Sequence, residues 1–235
     1  MTEWEDYLSS IYFDPKHPAS FSGPTKLYRE LKKDGRFQVG LNKIRQWLQD
    51  QEVYSIHKPL RRKFLTNRVI VQGIDEQWDA DLADMSSLAK QNKGVKFLLL
   101  TIDIFSRYVW VEPLKNKTNS EVVKAFKKIF KKGRKPKTIR FDKGKEFTGS
   151  LVKKYLKDMA IHSFNSQNLS KANYAERAIK TLKNAINRYI SYTQKTKYVD
   201  HLQDFVDSYN NSFHSSICMA PNDVNEDNET GLWWY

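Results

Sequence analysis

The sequence predicts an α/β protein in which helices flank a mixed β-sheet, preceded by a small helical N-terminal unit. Hydrophobic residues make up 40% and aromatic residues 13% of the chain, a proportion that favours a packed core over a disordered chain. After residue 70, short segments rich in Leu, Ile and Val alternate with longer amphipathic segments. This alternation is typical of strands and helices packed in layers.

Two short amphipathic helices are predicted within residues 1–68. "GPTKLYRELKKDG" begins near Pro24, a residue that suits a helix start, and stops at Gly35. "LNKIRQWLQDQ" places four apolar side chains on one face, which are Leu41, Ile44, Trp47 and Leu48. Two such helices joined by a glycine-containing turn suggest a helix-turn-helix unit.

A strand-like basic segment, "VYSIHKPLRRKFLTNRVIV", follows these helices. If it forms a pair of strands, the unit is winged-helix-like, and Arg61, Arg62 and Lys63 lie along DNA phosphates. If it does not, the same segment is a solvated basic linker between two domains. The sequence favours neither alternative over the other.

Residues 70–225 predict the sheet and its helices. The predicted strands are "DEQWDADLADM", "GVKFLLLTIDIF", "RYVWVEPL", "PKTIRF" and "IHSF". The second and third are joined by a short turn and form an antiparallel pair. The predicted helices are "EVVKAFKKIF", "GSLVKKYLKDMA", a long segment from about Ala172 to Tyr192, and "YVDHLQDFVDSYNNSFH". Residues 226–235 are assigned as a C-terminal tail.

The chain carries 40 Lys and Arg against 27 Asp and Glu, a formal charge of +13. An excess of this size predicts a polyanionic partner, nucleic acid rather than a membrane. Cys218 is the only cysteine, which excludes an intrachain disulfide and favours a reducing compartment. The acidic N-terminus lacks the basic residues of a signal peptide, so we expect an intracellular protein without a membrane partner.

The segment "KTIRFDKGKEF" ends a predicted strand on Asp142 and continues directly into a turn at Gly144. Strand ends are where open α/β sheets bind ligands, and a glycine allows the backbone to pass close to one. By itself, however, "DKG" is also a common surface turn.

In the long predicted helix, Glu176 begins a polar stripe that runs beside an apolar one. Lys180, Lys183 and Asn187 follow it, and each lies within about 40° of Glu176 at ~100° per residue. Glu176 borders the apolar stripe and should lie at the rim of the core, near the sheet. Alternatively, Glu176 and Lys180 form an ordinary surface pair one turn apart.

Asp79 and Asp81 share one face of the first predicted strand. Acids on a half-buried strand face are rare unless they are paired, and carboxylates brought together repel unless a cation joins them. In a chain with a formal charge of +13, converging acids predict a divalent metal site. Oxygen-only ligands suit Mg²⁺ or Mn²⁺.

Together, these segments resemble the catalytic core of retroviral-type integrases, the D,D,E recombinase family with an RNase H-like fold. The resemblance is carried by "WDADLADM", "LLLTIDIFSRYVWVEPLKNKT", "RFDKGKEF", "NYAERAIKTLKNAINRY", "YNNSFHSSICMAP" and "NETGLWWY". Within that family the sequence is similar to the integrases of Polinton or Maverick DNA transposons, which the upstream "FSGPTKLYRELKKDG" and "VYSIHKPLRRKF" also resemble.

The resemblance implies a role for each matching residue. The family's first acid lies three residues after a tryptophan, which selects Asp81, and its second lies in the "DKG" element, which is Asp142. The third acid opens the long helix and is Glu176. Basic residues predicted to contact DNA are Lys180 and Lys183 on that helix, with Lys143, Arg61, Arg62 and Lys63 elsewhere.

The implied activity is metal-dependent processing of donor DNA 3′ ends and their strand transfer into target DNA. The three acids would hold two Mg²⁺ or Mn²⁺ ions. The implied partners are transposon ends, a target duplex and further copies of the chain, with Trp110, Trp233 and Trp234 as candidate contacts between copies. Residence in the nucleus is expected from the substrate.

Two departures from the family keep alternatives open. The cysteines of the retroviral zinc-binding module are missing, and the β-rich domain that commonly follows the core is not found before Tyr235. One alternative is therefore a catalytically inert, transposon-derived DNA-binding protein. The other is an RNase H-like nuclease that acts on RNA–DNA hybrids.

Overall fold

The structure is a computed structural model that describes residues 2–57, 69–142, 144–165 and 173–234. Four helices come first: α1 (Glu3–Tyr12), α2 (Pro24–Asp34), α3 (Leu41–Asp50) and α4 (Glu52–Ile56). The sheet region comprises β1 (Gln77–Asp84), β2 (Phe97–Asp103), β3 (Val109–Leu114), α5 (Asn119–Phe130), β4 (Thr138–Phe141), α6 (Lys145–Thr148), α7 (Ser150–Asp158) and β5 (His162–Asn165). The chain continues through α8 (Asn173–Thr193), α9 (Leu202–Asn210) and α10 (Glu226–Trp233), and short 3₁₀ helices lie at Ser86–Gln91, Val199–His201 and Pro221–Asp223.

The five strands form one mixed sheet in the order β3-β2-β1-β4-β5. β1, β2 and β3 pair antiparallel, whereas β4 runs parallel to β1 and β5 runs parallel to β4. All five strands predicted within residues 70–225, and the predicted antiparallel pair, are confirmed. β2 is buried along almost its whole length because helices cover both faces of the sheet, which explains its continuous apolar sequence.

Two clusters of buried side chains fill the space on the two faces of the sheet. One cluster packs α5 and α7 against the sheet around Trp78, Phe126 and Phe141. The other packs α8 and α9 against the opposite face, with Leu100 of β2 and Ile186 of α8 among its members. Side chains alternate along a strand, so Trp78 and Ala80 face the first cluster and Asp79 and Asp81 face the α8 side.

The N-terminal helices contribute to the cluster on the α8 side. Leu8, Leu27, Leu31, Ile44 and Leu48 are at most 1% exposed within it. The predicted helices α2 and α3 are confirmed. α1, which was not predicted, packs in the same cluster through Leu8. Burying these side chains against α8 and α9 stabilises the fold by roughly 1.5–3 kcal/mol for each large apolar residue.

Residues 52–56 form α4, so the prediction of strand-like structure starting at Val53 is wrong for this part of the basic segment. Val53 and Tyr54 pack against the cluster on the α8 side, and the Arg188 guanidinium stacks 5.2 Å from the Tyr54 ring centre. These tertiary contacts outweigh the strand preference of the local sequence. The predicted wing residues Arg61, Arg62 and Lys63 lie outside the described residues.

Two assignments near the surface change in detail. Residues assigned as a C-terminal tail include α10, which is capped by the Asn225 side chain. Trp110 is not available for contacts between copies, because it is 3% exposed and stacks on Trp78 at 4.1 Å. Trp233 and Trp234 are exposed, at 45% and 79%. Among the described helices, none is both long enough and apolar enough to cross a membrane.

Candidate active site

The three predicted acids lie on three elements that meet at one end of the sheet. Asp81 belongs to β1, Asp142 follows β4 directly, and Glu176 lies in the first turn of α8. The last register pair between β1 and β4 is Ala80 with Phe141. Asp81 and Asp142 are therefore the next residues on two adjacent strands.

The electrostatics of Asp81 show that these acids are close together. The pKa of Asp81 is raised to about 6, first by burial and then by the negative charges of Asp142, Glu176 and Glu146. The Leu82 N–H donates to Asp81 Oδ1 at 2.7 Å and opposes the shift. A cluster of like charges of this kind favours either protonation or a bound cation.

Glu146, in α6, is a fourth acid of this cluster that the sequence prediction missed. Its carboxylate lies over Gly144, where an added Cβ would approach Glu146 Cδ to 2.6 Å. The missing side chain at Gly144 thus leaves room for this carboxylate. The available signal was the position of Glu146 four residues after Asp142 in "DKGKEF".

Asp79 shares a strand face with Asp81 but is paired with Arg140. Arg140 Nε and Nη2 donate to the two carboxylate oxygens at 2.8 and 2.7 Å. The two side chains are 0% and 8% exposed, and the residues are register partners on β1 and β4. The Tyr174 backbone N–H, in the first turn of α8, donates a further hydrogen bond to Asp79. Asp79 therefore joins the three elements that carry the predicted acids.

The two lysines predicted on α8 lie beyond Glu176 along that helix. Lys183 Nζ donates to the Asp84 carbonyl at 2.8 Å, at the end of β1, and Lys180 is exposed. The pKa of Asp84 is lowered first by its hydrogen bonds with Ser86 and then by Lys183 and Lys117. Lys117 is thus a further basic group at this end of the sheet.

The remaining predicted DNA contacts are not among these groups. Lys143, Arg61, Arg62 and Lys63 lie outside the described residues, and their assignment stays a prediction. Of the predicted DNA contacts, only Lys180 and Lys183 fall within the described residues.

The acids fit a hard divalent cation by their chemistry. All the donors are carboxylate oxygens, the ligands that Mg²⁺ and Mn²⁺ prefer, and their mutual repulsion raises the pKa of Asp81. Within the described residues, no three His, Cys, Asp or Glu side chains stand close enough together to coordinate a metal ion. The assignment of Asp81, Asp142 and Glu176 as its ligands stays a prediction from the sequence.

A comparison with protein families agrees with this geometry. The Integrase core domain family matches residues 74–215, more than half of the chain. The chain belongs to the integrase core domain family. The matched range runs from just before β1 to just beyond α9 and includes every acid of the cluster.

One curated relative is a transposon-derived protein of Caenorhabditis elegans. It is 41% identical over 141 residues, which cover 60% of this chain and 49% of that protein. The chain therefore spans about half the length of this relative.

Solved retroviral structures show the same fold at low identity. The catalytic core domain of HTLV-2 integrase, solved in complex with magnesium, is 19% identical with a TM-score of 0.54, covering 64% of this chain and 95% of that one. A simian T-cell lymphotropic virus intasome, solved in complex with a PP2A regulatory subunit, is 17% identical with a TM-score of 0.55, covering 84% and 68%. The predicted RNase H-like fold class is confirmed.

Proposed function

We propose that this integrase core acts as a D,D,E polynucleotidyl transferase, which processes the 3′ ends of transposon DNA and joins them to target DNA. The observation that carries the proposal is the convergence of Asp81, Asp142 and Glu176 from three elements of the integrase fold. The transposon-derived relative and the Polinton-like segments support a transposon of the Polinton or Maverick type as its source. The substrate would place the protein in the nucleus.

Asp81, Asp142 and Glu176 would hold two Mg²⁺ or Mn²⁺ ions. The magnesium complex of the HTLV-2 core supports this choice of metal. When bound, such ions supply activation of the attacking oxygen and stabilisation of the leaving oxygen in an in-line displacement at phosphorus. The chain itself supplies placement, because β1 and β4 hold Asp81 and Asp142 on adjacent strands and the Asp79–Arg140 pair fixes those strands together.

The basic groups beside the acids would hold the DNA backbone. A cluster of carboxylates repels phosphates, so the strand that approaches Asp81 needs neighbouring cations. Lys180 and Lys183 on α8 are positioned to supply them. Joining two donor ends to one target requires more than one chain, and we propose a homo-oligomer on DNA, consistent with the intasome structure.

Replacing Lys180 or Lys183 with Gln should weaken duplex binding and lower the salt dependence of that binding. Each contact to a phosphate accounts for a slope of about 0.9 in a plot of log K against log salt. Fluorescence anisotropy with a labelled duplex gives this slope when it is measured at salt concentrations from roughly 50 to 200 mM, where phosphate contacts weaken strongly. Lys153→Gln, at an exposed position of α7, is the matched control. A slope equal to that of the control in both variants would remove α8 from the DNA interface.

The function is tested by incubating the protein with Mg²⁺ or Mn²⁺ and three labelled substrates: a donor duplex end, a supercoiled plasmid and an RNA–DNA hybrid. We expect donor ends joined to the plasmid and an intact hybrid. Cleavage of the hybrid without joining would instead support a nuclease. Salt-dependent binding of DNA without any chemistry would support an inert DNA-binding protein.

A further inference from the structure

A second basic site lies away from the acids, in a cavity between α2, α8 and α9. The cavity has a volume of about 260 Å³ and opens beside Gly23, the residue that precedes α2. Lys26 of α2 and Arg188 of α8 line it, whereas no Asp or Glu among the described residues does. The cavity therefore has two cationic side chains in its lining and no carboxylate to balance their charge.

Lys26 lines this cavity without an ion pair. Among the described residues, its Nζ makes neither a hydrogen bond nor an ion pair, and burial is the first cause that lowers its pKa to about 8. Glu30, one turn further along α2, favours the charged form but does not line the cavity. The positive charge of Lys26 also contributes, after burial and Arg107, to the lowered pKa of His214.

Arg188 is the second cation, and it is 7% exposed. Its Nη1 donates to the Phe21 carbonyl, but its Nε has no hydrogen-bond partner within the described part of the chain. Its other contact is the Tyr54 ring. A buried guanidinium without a carboxylate is costly unless a counter-ion is supplied.

The first turn of α2 adds a third source of positive potential. This helix has 11 residues and no acid in its first turn. Pro24 has no N–H, and the Lys26 and Leu27 N–H groups donate to the Gly23 carbonyl. An added Cβ at Gly23 would meet no atom within 4 Å, so the space in front of the helix is open. The N-terminal end of a helix dipole is positive, and Gly23, Lys26 and Arg188 border the same cavity.

We propose that this cavity is a phosphate-binding site, and that the phosphate belongs to the backbone of the DNA duplex whose end lies at Asp81, Asp142 and Glu176. The assignment to DNA rests on the proposed function. Arg188 follows Glu176 by twelve residues on α8, about 18 Å at 1.5 Å per residue. A duplex that follows α8 away from the acids would present a phosphate there about five base pairs from its end, at 3.4 Å per pair.

The first arm of the test measures binding of inorganic phosphate to the whole chain by thermal unfolding, against chloride at matched ionic strength. We expect a saturable rise in Tm of about 2–4 °C at a phosphate concentration five times Kd. Lys26→Gln should abolish most of this rise, and Lys33→Gln, at an exposed position in the last turn of the same helix, should not. Ser22→Asp, which places a carboxylate before α2, should raise Tm without phosphate and remove the response to it.

The second arm separates a backbone phosphate from a free one. Lys26→Gln should lower the salt slope of duplex binding by about 1 relative to Lys33→Gln, and only for duplexes longer than about five base pairs from the donor end. A phosphate response with an unchanged slope would assign the site to a free phosphate and overturn the DNA contact. No phosphate response and no change in slope would overturn the site itself. Neither arm measures DNA joining, so both results can still be interpreted if the protein proves unable to join DNA.

Discussion

Asp81→Asn is expected to abolish DNA joining and, in the same protein, to raise thermal stability. The amide cannot serve as a carboxylate ligand, so we expect a loss of at least a thousandfold, about 4 kcal/mol in the barrier. The side chain is also half-buried among three other acids, and its pKa is raised to about 6. Above that pH the folded protein must keep a charge that its surroundings disfavour. Removing the charge should therefore stabilise the fold by about 1 kcal/mol after allowance for partial exposure, or 2–4 °C in Tm.

The pH dependence of this stabilisation gives a second check. The folded-state pKa of Asp81 lies above the model-peptide value of 3.8, so the folded state binds the proton more tightly than the unfolded state. Below about pH 4 Asp81 is protonated in both the folded and the unfolded state, so it does not lower the stability of the fold. The destabilisation appears as pH rises from 4 to 6 and is complete above that range, so the difference in Tm between variant and wild type should close at pH 4.

The controls separate a functional acid from a structural one. Asp158→Asn changes an exposed acid at the end of α7 and should alter neither joining nor Tm. If Asp81→Asn lost both activity and stability, Asp81 would be a structural residue like Asp79. If it retained joining, the acid cluster would not be the active site.

The second large effect is expected at the pair formed by Asp79 and Arg140. Arg140→Met leaves the Asp79 carboxylate buried without its bidentate partner. Removing one partner of a buried ion pair typically costs about 3–5 kcal/mol. This is a large fraction of the free energy of unfolding of a domain, which is roughly 5–15 kcal/mol. Urea denaturation should show this loss as a lower midpoint at an unchanged slope.

A double variant and a surface pair provide the controls for this prediction. Asp79→Leu combined with Arg140→Met removes both charges and should recover most of the lost stability. It also removes the acceptor of the Tyr174 N–H, so we expect joining to remain reduced by about 10–100-fold. Lys93→Met breaks an exposed pair with Asp200 and should change the urea midpoint far less, because water screens such a pair. An Arg140→Met variant as stable as Lys93→Met would contradict the structural role.

The sheet could be predicted from sequence because its strands differ sharply from their surroundings. β2 and β3 are continuous apolar segments joined by a short turn, and α8 carries a long apolar stripe. α4 and α6 were not predicted, since each is about one turn long and depends on tertiary contacts.

The candidate site was predictable in part for a similar reason. Asp142 at a strand end and Glu176 on a patterned helix carry local signals, and family resemblance distinguished Asp81 from Asp79. The partner of Asp79 could not be found locally, because Arg140 lies 61 residues away and meets it only through the parallel pairing of β1 and β4. The same holds for Lys26 and Arg188, which come together only when the N-terminal helices pack on α8.

We infer that Asp81 of β1, Asp142 after β4 and Glu176 in the first turn of α8 form the active site of an integrase, and strand transfer is the activity that depends on all three. The measurement follows a labelled donor end into supercoiled plasmid with Mg²⁺ or Mn²⁺, and compares the wild type with Asp142→Asn. We expect joined products from the wild type, none from the variant, and the same folded circular dichroism spectrum for both. Equal joining by the variant, or a wild type that binds DNA and joins nothing, would contradict it.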